Sequence, residues 1–457
     1  VRETVDVCVV GGGISGLAAA HVLHQKGASF LLLEGSERWG GVIRTERAGG
    51  FLFEAGPDSF LAAKEDALRL CEELGIESRL IPTNPVDRTV FILVKGVLHP
   101  LPDGMFLAVP TRIRPFLTSG LFSWKAKLRM GLDLLMGNGS GEADESIASF
   151  LRRRFGEESV VRLGEPLLAG IHAGDPESLS MRATFPRFVD MERRNGSVIL
   201  GMWRASRRAP KQPSGFLSFE GGLSEFVEAL VQAIPEPRRR LGATVSRLAR
   251  VDGGFAVEFG ADSIEARRLV LAIPASRAGE LLGGLDPALA EPLKQIRFAS
   301  TATVLLGYQR RDVGHSLRGY GLLVPRTEGL RTNACTFVST KFPGRAPPGH
   351  VLLRGFLGGA RDPRVLEEDD RGLIRVVEDE MGPVLGLQGK PTVANVYRWP
   401  GATPQLEVGH EARIRSIEET LRKERGLFLT GAGLRVTGIP DCIGDVRRAA
   451  SDSLASL

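Results

Sequence analysis

The chain carries 4 cysteines in 457 residues, and Cys8, Cys71, Cys335 and Cys442 stand far apart. No C-x-x-C pair occurs, which excludes the common zinc spacings and a disulfide framework and fits a reducing compartment. No metal site is expected. Aromatic residues make up only 6% and there is no arginine-rich tail, so nucleic acid is not an expected partner. No run of about 18 apolar residues occurs, so no segment is expected to span a bilayer. A strand is expected to be entered by Val5, so no cleaved leader is expected ahead of it. No internal repeat or low-complexity stretch is present. What remains is an ordinary globular composition, 43% hydrophobic and 25% charged, in a chain long enough for two or three domains.

The net charge is +5, and its location is informative. Residues 88–212 hold 19 Lys and Arg against 12 Asp and Glu, a net +7, while the rest holds 40 against 42, a net −2. Arginine dominates this segment, the side chain suited to forked carboxylate or phosphate recognition. A solvated basic face, an anionic-membrane footprint and a port for an acidic substrate all fit. Residues 105–210 read as mostly helical. Lys125 to Met136 places Leu128, Leu132 and Leu135 on one face, with Lys127 and Arg129 outside it. The Pro- and Gly-broken apolar stretches 105–110 and 116–124 suit a surface resting on lipid. They equally suit a lid over a helical core.

Chemistry is densest at the two ends of the sequence. The apolar run Val7 to Val10 leads into Gly11-Gly12-Gly13-Ile14-Ser15-Gly16 and a helical pattern. A second apolar run, Phe30 to Leu33, is closed by Glu34. This is a β-α-β unit with a G-x-G-x-x-G turn. Gly11 allows the tight turn, Gly13 lets a diphosphate approach, and Gly16 lets helix and strand pack closely. The helix N-terminus offers free N–H groups to the diphosphate. Glu34 accepts from a ribose hydroxyl and repels a 2′-phosphate, which favours FAD or NAD over NADP.

At the other end, the strand-like Leu427 to Leu429 runs into Gly431 and Gly433. Thr437-Gly438-Ile439-Pro440 then opens a second helix, with Pro440 in a first turn where its missing N–H is not needed. Helix-end N–H groups there would stabilise negative charge developing on a reduced flavin ring. Two such devices suit FAD better than NAD. Between the ends, Arg268 to Pro274 reads as a buried strand returning to the dinucleotide sheet. Residues 296–395 alternate strands and turns and form a second sheet. Cys442 reads as packing, since no histidine signature accompanies it. His172, the one histidine in a site-like motif, reads as a packed or hydrogen-bonded residue in preference to a base.

The chain resembles the oxygen-dependent FAD porphyrinogen oxidases of haem synthesis, within the amine-oxidase-like flavoproteins. Gly11 to Leu17, Arg38-Trp39-Gly40-Gly41 and Glu54 to Phe60 resemble the flavin segments. Leu168 to Pro176, Leu179 to Pro186, Ser197 to Gly201, Phe219 to Leu223 and Gly438 to Ile443 are more specific. The resemblance implies an α/β fold: a Rossmann-type FAD-binding domain (1–87, 213–295 and 396–457), an inserted α+β substrate domain (296–395), and a helical, basic, membrane-associated and substrate-lining domain (88–212). It implies FAD contacts at Gly11, Gly12, Gly13, Ile14, Ser15, Gly16, Glu34, Arg38, Gly40, Gly41 and Val42. Others fall at Gly56, Pro57, Asp58, Ser59, Val245, Trp399, Gly431, Thr437, Gly438 and Ile439. It places the tetrapyrrole between Gly170 on one side and Leu323 and Phe337 on the other. Some relatives anchor a propionate with an arginine where this chain has Val90; Arg88, Lys95 and Arg182 are the alternatives. The β-branched Val436 and Thr437 stand where the family has a glycine and a valine, and such residues resist positive φ.

The implied reaction removes six electrons and six hydrogens from a porphyrinogen by three hydride transfers to flavin N5. Reoxidation by O2 gives H2O2 each time. No catalytic side chain is required, because the cofactor carries the chemistry. The Ile439-Pro440-Asp441 wording and the basic middle segment favour coproporphyrinogen III, with four carboxylates, over protoporphyrinogen IX, with two. A flavin amine oxidase, a carotenoid desaturase and a non-enzymatic binder on the same fold are the rivals. The implied location is cytoplasmic, with peripheral contact on the inner face of the plasma membrane suited to the basic segment.

Overall fold

The computed structural model describes residues 3–137, 139, 143–208 and 215–456. The boundary expected at 212/213 lies outside them. The opening unit forms as read: strand Glu3–Val10, helix Ile14–Gln25 and strand Phe30–Leu33. Phe30–Leu33 is buried throughout, as a parallel strand covered on both faces must be. These strands belong to a seven-stranded sheet in the order Arg239–Arg240, Phe30–Leu33, Glu3–Val10, Asp262–Leu271, Gly254–Phe259, Val245–Val251. Asp262–Leu271 serves two neighbours on one side. Its first half pairs antiparallel with Gly254–Phe259 and its second half parallel with Leu427–Leu429. The strand read from Arg268 to Pro274 is thus the end of this longer one, parallel to Glu3–Val10.

The parallel pairings bring the carboxyl ends at Val10, Leu33, Leu271 and Leu429 to one edge of the sheet. Open α/β sheets take their ligands at that edge. One sheet face is covered by the helices Ile14–Gln25, Ser224–Ala233 and Ile439–Ala455, through Leu17, Phe226 and Val446. The other is covered by Ala275–Leu282, Pro287–Lys294 and His410–Leu421, through Ala278, Leu289 and Ile417.

A second seven-stranded sheet runs Val393–Pro404, Phe298–Gln309, His350–Gly358, Ala334–Phe337, Gly321–Leu323, Val90–Val94, Val97–Pro100. Its ladder draws in strands from outside the 296–395 range, because Val90–Val94 pairs in parallel with Gly321–Leu323. Helix Asp370–Leu385 covers one face with Leu373, Val377, Met381 and Leu385, spaced for one side of a helix. On the opposite face Ile92, Leu323 and Ala334 join a core with Phe150, Leu163 and Leu168 of the helical region.

That region contains Trp124–Gly131, Ile147–Phe155, Glu165–His172, Pro186–Asn195 and Val198–Arg208. Beside its apolar core lies a buried polar cluster. Arg154, 1% exposed, donates to Glu192, to Asp133 (3.3 Å) and to the carbonyls of Gly137 and Gly196. Asp133 in turn accepts from Ser197 Oγ and the Ile199 N–H. The charge of Arg154 is therefore used internally.

One reading of this region is corrected. The helix expected over Lys125–Met136 ends at Gly131 and tightens into a 3₁₀ turn over Leu132–Leu135. Leu128 and Leu135 are 72% and 82% exposed, whereas Lys127 is buried. Lys127 is satisfied there by the carbonyls of Leu117 and Ser119, both at 2.7 Å, and its ammonium lies over the Trp124 ring. No helix among the described residues is long and apolar enough to cross a membrane.

Candidate functional site

The site is built on the two glycine turns at the carboxyl edge of the first sheet. Gly11 has φ +108°, a conformation L-residues avoid, and a Cβ there would lie 2.5 Å from the Ala272 carbonyl oxygen. A Cβ on Gly16 would lie 1.7 Å from the Gly11 oxygen, so only glycine lets helix Ile14–Gln25 approach this closely. Gly13 faces open space, with nothing within 4 Å of a Cβ. That is the clearance a diphosphate needs above the first N–H groups of the helix. Ile14 and Ser15 begin that helix.

Glu34 is held by two backbone donors, the Gly12 N–H at 2.5 Å and the Ser36 N–H at 2.8 Å. Ala243 N–H donates to the Glu34 carbonyl, bringing the start of strand Val245–Val251 beside the acid. The Arg38–Gly41 loop folds over the turn: Gly40 N–H donates to the Gly12 carbonyl at 2.8 Å, and Gly41 lies against Gly13. The Arg38 guanidinium shapes this loop by donating to the carbonyls of Trp39, Gly41 and Ile43. Val42 is exposed, and its carbonyl abuts Gly56. Trp399 closes the same spot, donating from Nε1 to the Ala55 carbonyl at 2.8 Å.

Behind Gly56–Ser59 lies a charged cluster that sequence reading missed. Asp58 accepts two bonds from Lys341 Nζ (2.8 and 2.9 Å) and one from Ser59 Oγ (2.6 Å). Burial alone would raise the Asp58 pKa, but Lys341 and Arg354 overrule it and hold it at about 2. Buried Arg354 donates to the carbonyls of Ala55 and Gly56. Glu54, also buried, accepts from Thr45 Oγ1 (2.7 Å) and the Leu223 N–H (2.8 Å), yet burial still raises its pKa to about 7.

The C-terminal turn meets the first one. Gly431, at φ +110°, lies beside Ser15, and helix Ile439–Ala455 starts after Gly438 and packs along Ile14–Gln25. The departures at Val436 and Thr437 carry no strain, since neither residue has positive φ. Cys442 is buried in this helix and its thiol is pushed up to about 12 by burial, as a packing role requires.

The substrate residues divide. Gly170 and Leu323 meet: a Cβ on Gly170 would lie 2.9 Å from Leu323 Cδ2. Phe337 is not with them. It lies three residues beyond Ala334 on the same strand, and side-chain alternation sends it to the opposite face, beside His315. Arg88 is exposed just ahead of Val90–Val94, and Lys95 is exposed at the tip of that hairpin. Arg182 lies in helix Met181–Thr184 of the helical region. His172 ends helix Glu165–His172 with its ring edge-on to Phe185; burial lowers its pKa to about 4, so it is neutral near pH 7.

Comparison with known proteins agrees with this geometry. The family profile described as flavin containing amine oxidoreductase matches residues 14–454. A coproporphyrinogen III oxidase of Bacillus subtilis (strain 168) is 34% identical over 99% of this chain and 98% of its own. A chloroplastic protoporphyrinogen oxidase of Nicotiana tabacum is 30% identical over 98% of this chain and 85% of its own. A solved protein of Exiguobacterium sp. 255-15, provisionally assigned as a protoporphyrinogen oxidase, superposes with a TM-score of 0.86 at 32% identity, covering 99% of each chain. With a dinucleotide cradle at the sheet edge and a match along nearly its whole length, the chain belongs to the flavin containing amine oxidoreductase family, and its cofactor is FAD.

Proposed function

We propose that this protein oxidises a porphyrinogen to a porphyrin in haem synthesis, with coproporphyrinogen III as preferred substrate and O2 as acceptor. The observation that carries the reading is the end-to-end match to coproporphyrinogen III oxidases together with the C-terminal glycine turn lying beside the start of helix Ile14–Gln25. Bound FAD would take a hydride and a proton in each of three rounds, and three O2 would be reduced to three H2O2.

The chain's own residues bind and shape. The Gly11–Gly16 turn would hold the diphosphate, Glu34 and the start of Val245–Val251 the adenosine half, and Gly56–Ser59, Trp399 and Gly431–Ile439 the ring half. The start of helix Ile439–Ala455 would favour negative charge on the ring by its free N–H groups. No nucleophile is needed, and the cysteines offer none: burial pushes the thiols of Cys71, Cys335 and Cys442 up to about 12. The three tyrosines are used in the fold, and none lies in the C-terminal flavin turn. The hydroxyls of Tyr308, Tyr320 and Tyr397 are bonded to Glu378, the Asn84 carbonyl and Glu46. The exposed Trp124, Leu128 and Leu135 beside basic side chains support peripheral contact with an anionic membrane.

The test is porphyrin fluorescence from each porphyrinogen under air, with peroxide measured in parallel. Faster oxidation of coproporphyrinogen III, with three H2O2 per porphyrin, is expected. Oxidation of a primary amine with neither porphyrinogen consumed would overturn the reading. Flotation with vesicles, containing or lacking anionic lipid, tests the membrane contact.

A further inference from the structure

A cavity of about 380 Å³ lies between the C-terminal turn and the helical region. Its floor is Val436 and Thr437, the turn assigned above to the flavin ring. Its wall is aromatic. Phe106 stacks on Phe188 (centroids 5.7 Å apart, planes 19° apart), and Phe185 meets Phe188 edge-on at 6.0 Å. His172 continues the wall beyond Phe185. Three cations reach the same space, and their states differ. Lys64 is paired with Asp441, and Arg435 with Glu418. Arg187 is exposed at the cavity, and no hydrogen bond or ion pair joins it to any described residue.

An aromatic wall with one unpaired guanidinium suits an aromatic ligand bearing a carboxylate. The volume is within the range of small-molecule sites. Gly170 and Leu323, by contrast, are in direct contact and leave no slot for a ring between them. His172 is two residues beyond Gly170 on the same helix and lines the cavity, so the cavity begins beside that pair along the chain.

We propose that this cavity seats one edge of the tetrapyrrole, a pyrrole against the Phe106–Phe185–Phe188 wall and a propionate on Arg187. The proposal rests on the porphyrinogen reading and adds where the substrate's carboxylate is recognised. Lys64 and Arg435 are already neutralised by their own partners, which leaves Arg187 as the anchor. Recognition would act on binding and not on the chemical step, because a propionate carboxylate takes no part in the hydride transfer.

The experiment uses the FAD-loaded protein and titrates it with coproporphyrin III and with its tetramethyl ester, alongside steady-state oxidation of coproporphyrinogen III. Arg187→Gln should raise both the Kd for the free acid and the KM about tenfold, the size of one charge-assisted hydrogen bond. The kcat and flavin content should stay within about twofold. Arg187→Lys should restore most of the loss. The ester should bind wild type and Arg187→Gln alike. Ala183→Trp, which fills the cavity, should weaken both ligands, with flavin content as its folding control. If Arg187→Gln and a flavin-replete Ala183→Trp bind coproporphyrin III as tightly as wild type while wild type oxidises coproporphyrinogen, the cavity assignment falls and the functional reading stands. If wild type neither oxidises nor binds a tetrapyrrole, both fall.

Discussion

Lys341→Met probes the charged cluster behind the flavin segment. In the wild type Lys341 Nζ meets both oxygens of Asp58, at 2.8 and 2.9 Å, and each side chain is only 14% exposed. Asp58 is held at about 2 against an ordinary value of 3.8. That difference corresponds to roughly 2–3 kcal/mol of stability at neutral pH. A depressed carboxylate contributes fully above its unfolded pKa, so this contribution disappears as pH falls from about 4 to about 2. Removing Lys341 leaves burial as the main influence on Asp58, and its pKa rises. Breaking a buried pair by deleting one partner costs about 3–5 kcal/mol. Partial exposure and the remaining Arg354 reduce the expected loss to roughly 2–3 kcal/mol. The apparent Tm should fall by about 2–3 °C, read by flavin fluorescence in a thermal ramp. Asp58→Asn should show a similar loss, and the double variant should lose much less than the sum of the two. An unchanged Tm in Lys341→Met, or strict additivity in the double variant, would refute the reasoning.

Gly16→Ala places a methyl group 1.7 Å from the Gly11 oxygen and should yield protein without flavin, destabilised by more than about 4 kcal/mol; a normal ratio of flavin to protein absorbance would contradict this. Glu34→Ala releases the Gly12 and Ser36 N–H groups as well as the ribose contact, so FAD retention on gel filtration should drop, and wild-type flavin content would count against the assignment. Glu54 has a raised pKa, about 7 against 4.5, so its carboxyl favours folding at low pH and that contribution is lost as pH rises through 7. Glu54's own contribution should therefore decline by roughly 3 kcal/mol between these values, and Glu54→Gln should gain stability relative to wild type as pH rises across that window in urea titrations.

The dinucleotide unit was legible because its signals are local. Strand, turn, helix and acid fall within Val5 to Glu34 and each constrains the next. The second helix N-terminus was legible for the same reason, from Gly438 and Pro440. What periodicity conveys is which residues share a face, not what that face meets. Leu128, Leu132 and Leu135 are all exposed to solvent, and Lys127 is buried because the carbonyls of Leu117 and Ser119 happen to receive it. Phe337 shows the same limit in a strand: its motif is visible, yet strand alternation decides the face. The Asp58–Lys341–Arg354 cluster left no sequence signal at all. Its members are separated by up to 296 positions and are brought together only when the second sheet docks behind Gly56.

The meeting of Gly11–Gly16 with Gly431–Ile439 has a consequence for biogenesis. About 420 residues separate the halves of the cradle, which at 5–20 residues per second is roughly 20–80 s of translation. Through that interval the ribosome-bound polypeptide possesses a diphosphate clamp but no partner for the tricyclic head. Vitamin capture must then wait until Ile439 has been made, and a truncated chain that stops before Gly431 should never turn yellow.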